Sequence, residues 1–146
     1  MALDCYGFIF RYGLFSDQID FSRLYNSLKQ TPLWQNDQCP GIPVHPPYKG
    51  SEVSWTTKAV GLARYHDGFY WGWLIAEAAY IAKKQKDVGE YLSILKIFEA
   101  SIQSAETLAE IYVKKEKYFI EYSGILYRSE NPFTWTAAKW LGAIHL

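Results

Sequence analysis

The chain has 146 residues, 49% of them hydrophobic and 21% charged, a composition that fits one globular domain with its own core and excludes a disordered segment. Its 15 basic and 15 acidic residues cancel, and the longest basic cluster is Lys83-Lys84-Gln85-Lys86, which removes the electrostatic footprint that nucleic-acid binding needs. Met1-Ala2-Leu3-Asp4 lacks a basic segment leading into an apolar run, and the most apolar stretch is broken by Glu77 short of bilayer-spanning length, so a soluble cytoplasmic protein with no membrane partner is expected.

Along the chain, Cys5, Phe8, Ile9 and Tyr12 fall at helical spacing behind Asp4, which is placed to cap them, and Gly13 is placed to end the helix. The run Gly7-Phe8-Ile9-Phe10 also suits a strand. Cys5 and Cys39 show neither CxxC spacing nor a histidine partner, so buried thiols are expected rather than a disulfide or zinc site, and no cofactor or metal is expected. Asp20 predicts an N-cap for a second helix over Phe21 to Gln30, with Phe21, Leu24, Tyr25 and Leu28 on one face.

From Thr31 to about Lys58 periodicity vanishes among Pro32, Pro40, Gly41, Pro43, Pro46, Pro47 and Gly50, predicting a long loop. Its Trp34, His45, Tyr48 and Trp55 either contribute to a ligand pocket or pin a surface connection. Arg64-Tyr65-His66-Asp67-Gly68-Phe69-Tyr70-Trp71-Gly72-Trp73 follows, the densest mixture of aromatic rings and hydrogen-bonding groups in the chain. Aromatic planes that stack on a pyranose face, beside groups that bond its hydroxyls, make a sugar-binding wall; the alternative is that these aromatics are core at a helix start. An aromatic content of 18% without surplus charge fits either reading.

Trp71, Leu74, Ile75, Ala78, Ala79 and Ala82 predict a third helix with one apolar face, running to about Lys86. Asp87-Val88-Gly89-Glu90 has capping-box spacing and opens a fourth, burying Tyr91, Ile94, Leu95, Phe98, Ile102, Ala105 and Leu108. The short connection makes the two an antiparallel hairpin. Val113 to Lys117 reads as a solvated turn, and Tyr118 to Tyr122 and Ile125 to Arg128 as a small β-hairpin around Ser123-Gly124. Asn131 and Pro132 predict the N-cap and first position of a last helix that buries Phe133, Ala137, Trp140, Leu141 and Ile144.

Three of these segments together resemble a known family, the six-hairpin (α/α)6-barrel glycoside hydrolases of the glycogen-debranching, glucosidase and mannosylglycerate-hydrolase type. Tyr65 to Trp73 is similar to that family's Tyr-His-Asn-Gly-x-x-Trp-Pro-Trp, with Asp67 for Asn and Gly72 for Pro; Asn131 to Ala138 is similar to its Pro-Phe-x-Trp-Ser/Thr-Ala-Ala signature; and Thr107 to Tyr112 is similar to the Glu-Val-Tyr segment that carries the general base. Ile42 to Tyr48 suits the family's long loop. The resemblance implies a single all-α domain over residues 1–146, antiparallel helical hairpins forming part of an (α/α)6 toroid with a small β-hairpin before the last helix. It implies an inverting hydrolase of an α-linked oligosaccharide or small saccharide, working through an oxocarbenium-like transition state with one acid and one base. The base is expected to be Glu110, with Glu121 its rival; Arg64, Tyr65, His66, Asp67, Trp71, Trp73, Tyr48 and Trp135 are the expected substrate contacts. A closed ring needs on the order of 200 residues. The chain therefore corresponds to the C-terminal portion only, with the general acid expected upstream of Met1 and the ring completed by an upstream polypeptide or a homo-oligomer. A non-catalytic carbohydrate-binding or protein-interaction module is the alternative.

Overall fold

The computed structural model describes residues 3–31, 34, 49–65, 68–106, 108–115 and 118–145. Their order is α1 (Leu3–Tyr12), α2 (Phe21–Lys29), a 3-10 turn (Gly50–Glu52), α3 (Trp55–Ala59), β1 (Tyr70–Trp71), α4 (Gly72–Lys84), α5 (Val88–Ala105), β2 (Ile111–Lys115), β3 (Tyr118–Glu121) and α6 (Thr134–Ile144). The chain is mainly helical, with one antiparallel sheet in the order β1-β2-β3.

Everything is built on α4. Each residue from Leu74 to Ala82 is buried, so this helix has no solvent face, and the expectation of a single apolar stripe is corrected. A helix apolar nearly all round belongs in the centre of a fold, and α1, α5, α6 and β1 pack around it. Ala76, Ala78, Ala79 and Ala82 keep its surface low, allowing close approach on several sides. Trp71, expected to open the helix, lies in β1 instead, paired with Ile111.

Local signals correctly place the starts of α2 and α5 and the end of α1. The Asp20 side chain accepts from the Arg23 amide at 3.0 Å and opens α2. Asp87 does the same for α5 through the Glu90 amide at 3.1 Å. The Asp87 carboxylate also holds Lys29 at 2.7 Å and the Tyr25 hydroxyl at 3.0 Å, tying α2 to the α4–α5 turn. Gly13 takes a left-handed φ of +61°, and the Leu14 amide donates back to the Ile9 carbonyl at 3.2 Å, which closes α1.

Several expectations are corrected. Asp4 lies within α1, and that helix turns Gly7 and Phe10 inward while Phe8 and Tyr12 stack on each other in solvent; Cys5 is exposed. The hairpin is β2–β3, with Lys115 paired to Tyr118, and only one bridge, Ser123 to Arg128, remains of the one expected around Ser123-Gly124. The expected loop contains the short helix α3, capped by Ser54. Phe133, not Asn131, is the N-cap of α6, and the Asn131–Pro132 peptide is cis; Trp140 is buried as expected, but Thr136 and Ala143 are buried with it in place of Leu141 and Ile144. Trp140 lies flat on Phe98 of α5, ring centroids 3.5 Å apart.

Inside this packing Glu77 of α4 is 3% exposed and fully engaged. Arg11 of α1 donates to both its oxygens, Nε at 3.1 and 3.2 Å, and Lys139 of α6 lies 2.5 Å from Oε1. The Arg11 guanidinium also covers the Tyr80 ring at 4.1 Å.

Candidate active site around Glu110

The α5 helix ends at Glu106 in a left-handed conformation, and the chain then runs through Leu108, Ala109 and Glu110 into β2. Hydrogen bonds fix this segment on every side. Phe133 donates its amide to the Leu108 carbonyl at 2.8 Å, the Glu110 amide donates to the Glu130 carbonyl at 3.0 Å, and the Gly72 amide donates to the Glu110 carbonyl at 2.9 Å. The Ala109 amide donates to the Tyr112 hydroxyl at 2.9 Å, and the Thr136 hydroxyl donates to the Ala109 carbonyl at 3.1 Å. All four backbone groups of Ala109 and Glu110 are therefore satisfied, as buried backbone requires.

Gly72 makes this approach possible. A Cβ there would sit 2.6 Å from the Ala109 carbonyl oxygen and 2.7 Å from Thr136 Oγ1. Only the bare glycine lets the start of α4 meet the Glu110 segment and α6 together.

On this anchored backbone the half-buried Glu110 carboxylate accepts two phenolic hydrogen bonds, from Tyr65 to Oε1 at 3.3 Å and from Tyr127 to Oε2. Burial, then bonding to Glu110, pushes the Tyr127 hydroxyl far above the ordinary tyrosine range, and burial also raises Tyr65. Both phenols thus stay neutral donors. A carboxylate offers about four lone-pair positions, so two bonded phenols leave it able to accept a further proton.

The aromatic wall is assembled around the same point. The Tyr65 ring meets Trp71 edge-on at 4.8 Å and Tyr127 at 6.0 Å, and Trp71 donates its indole N–H to the Tyr65 carbonyl at 3.0 Å. Trp73 stands 6.5 Å from Trp71, half-buried. Trp71 itself is only 8% exposed, so its ring belongs to the support of Tyr65. Tyr65 also faces an open groove of about 390 Å³ whose lining includes Glu52, Thr57 and Leu62.

Of the other expected site residues, Glu121, Arg64 and Trp135 are described, and the contacts seen for them are different ones. Glu121 accepts from Arg128 Nε at 2.8 Å and Asn131 Nδ2 at 3.1 Å, a clasp that fastens the segment after β3. Arg64 is exposed; its carbonyl accepts the Gly68 and Phe69 amides, and its side chain folds over Gly68, 2.7 Å from where a Cβ would be. Trp135 is 61% exposed and lines a separate groove of about 320 Å³ with Tyr12 and Lys139. His66, Asp67, Tyr48, His45 and Cys39 lie outside the described residues. Of the remaining loop aromatics, Trp34 is buried and donates to Glu90 at 3.2 Å, while Trp55 is exposed.

Tyr127 is the site residue that sequence reasoning missed. It follows Ile125 and Leu126, both strongly exposed, and no spacing rule links it to a carboxylate 17 residues earlier. Among the described residues no three His, Cys, Asp or Glu side chains come together as a metal site, and no helix is long and apolar enough to cross a membrane. No family model, no curated protein and no solved structure matches this chain significantly.

Proposed function

We propose that this chain is the base-bearing, C-terminal part of an inverting glycoside hydrolase acting on an α-linked saccharide, with Glu110 as the general base. The observation that carries the reading is the Glu110 carboxylate, set on a fully hydrogen-bonded backbone, aimed by two phenols and joined through Tyr65 to an open groove. An inverting base must hold an ionised carboxylate at a fixed point and take a proton from water as the water attacks the anomeric carbon. Two neutral donors fix the carboxylate without neutralising it. Glu121 is engaged by Arg128 and Asn131, which favours Glu110 over it.

In this reading α4 and α5 form one hairpin of an (α/α)6 toroid, and α6 belongs to its last hairpin. Phe8, Tyr12, Trp135 and Leu141, all at least 48% exposed, supply a face against which a further polypeptide segment completes the ring. The general acid comes from that segment, so natural glycosides are hydrolysed slowly by this chain alone.

A glycosyl fluoride tests the base without the acid, because fluoride leaves without being protonated. With α-D-glucosyl and α-D-mannosyl fluoride, fluoride release above the spontaneous rate is expected from the chain, lost in Glu110→Gln and kept in Glu121→Gln. The base loss should be about 10²–10⁴-fold, the usual contribution of general acid–base catalysis. Release that is indifferent to Glu110→Gln would falsify the assignment.

A further inference from the structure

The groove beside Tyr65 is formed by the chain between the 3-10 turn and the aromatic stretch, with Val53, Leu62 and Ala63 as an aliphatic wall and Glu52, Ser54, Thr57 and Tyr65 as polar groups. Its volume of about 390 Å³ lies in the range of small-molecule sites. Glu52 is the only charged side chain among the described lining residues. One of its oxygens, Oε2, accepts the Lys49 amide at 2.7 Å, which fixes the carboxylate in place; Oε1 accepts no hydrogen bond from the described residues. Lys58 is turned away onto the Gly50 carbonyl at 2.6 Å, and neither it nor Lys49 is among the described lining residues.

These facts select a ligand chemistry. With a carboxylate and no cation among the described lining residues, the groove disfavours phosphates and carboxylates. An oriented carboxylate with an open oxygen accepts from hydroxyl groups, and the aliphatic wall suits the C–H face of a saturated ring. We infer that this groove binds a neutral, hydroxyl-bearing ring, held by Glu52 through its hydroxyls and by Val53, Leu62 and Ala63 through its C–H face. Tyr65 is then shared between two places: its hydroxyl aims Glu110, and its side chain closes the groove. The inference rests on the glycosidase reading only in naming the ring a pyranose, for which the groove is a subsite next to the base.

The test is an NMR titration of the full chain with methyl α-D-glucopyranoside and methyl α-D-mannopyranoside. Saturating amide shifts are expected at Val53, Thr57, Leu62 and Ala63 with at least one of them. Glu52→Gln, at an exposed position that leaves folding intact, should weaken binding about tenfold, as expected for one charge-assisted hydrogen bond. Leu62→Trp should abolish it by filling the groove. Glucose 6-phosphate should bind more weakly than the methyl glucoside. Absence of shifts at these amides with both glycosides, shifts unchanged in both variants, or tighter binding of the phosphate overturns the inference. Glu110→Gln separates the two proposals, since it should leave the titration unchanged while stopping fluoride release. Loss of the groove signal with Glu110-dependent release intact sinks the groove alone; a saturable groove signal with no Glu110-dependent release sinks the hydrolase reading alone.

Discussion

Tyr127 gives its hydroxyl hydrogen to the Glu110 carboxylate, joining the segment after β3 to the residue just ahead of β2. A hydrogen bond to a charged group is worth about 1.5–3 kcal/mol, so Tyr127→Phe should lower stability by about that amount, measured by urea unfolding. Fluoride release should fall with it, because the carboxylate loses one of its two aiming donors. Full release from a destabilised Tyr127→Phe protein would mean that Tyr127 supports the fold without positioning Glu110.

Gly72 is the first residue of α4. Proline at the first position of a helix is ordinarily tolerated, since that amide has no partner within the helix. Here the Gly72 amide is bonded to the Glu110 carbonyl and the space for a Cβ is already occupied. Gly72→Ala is expected to cost about 1–3 kcal/mol by overpacking, and Gly72→Pro more than that, because it also removes the donor. Equal stability of the two variants would show that the amide contributes nothing.

Glu77 is expected to be among the most sensitive positions. Removing its charge leaves Arg11 and Lys139 facing each other beneath the surface, and breaking a buried pair on one side costs about 3–5 kcal/mol. Glu77→Gln should therefore unfold at much lower denaturant concentration than the wild type. The double variant Glu77→Gln with Lys139→Met should recover part of the loss.

Trp140 has a buried indole N–H without a hydrogen-bond partner among the described residues, while its ring lies flat on Phe98. Trp140→Ala removes the stack and should cost about 3–5 kcal/mol. Trp140→Phe keeps an aromatic face and discards the unpaired donor, so its cost is expected to stay below about 1.5 kcal/mol. Similar midpoints for both variants in chemical denaturation would contradict this.

Burial pushes the Tyr112 hydroxyl up to about 12 from the ordinary value of 10.0, against the opposing Ala109 amide. The folded state thus keeps its proton where the unfolded chain loses it. Stability from this group is complete below about pH 10 and declines as pH rises through about 12, by about 3 kcal/mol in all. Tyr65 and Tyr127 act in the same direction. On the alkaline side, unfolding free energy should therefore begin to fall above about pH 10, and the fall should be shallower in Tyr112→Phe.

What was legible in the sequence was local. Asp20, Asp87 and Gly13 act on amides or dihedrals within a few residues of themselves, and the helix boundaries they predict are found. The buried faces of α1 and α6 were not legible in the same way. Phe8, Tyr12, Leu141 and Ile144 form convincing stripes, yet both helices present smaller residues, Gly7 and Thr136, to α4. Proximity to a central helix rewards small side chains, and periodicity alone does not reveal which neighbour a face will meet. The hairpin was displaced for a similar reason: the pairing of Ile111 with Trp71 and Tyr122 recruits the segment after α5 into the sheet. At the site, Tyr65, Trp71 and Glu110 come together from two separated motifs, whereas Tyr127 reaches Glu110 from the segment after β3.

The elements that cover α4 come from both sides of it in sequence, α1 well before and α6 well after. During synthesis, then, the central helix and its partner α5 are made before α6. Until then Trp140 is absent from Phe98, Lys139 from Glu77, and Thr136 from the Ala109 carbonyl. A nascent chain halted before α6 should remain protease-sensitive and chaperone-dependent, and native structure should arise in one late step when that helix emerges.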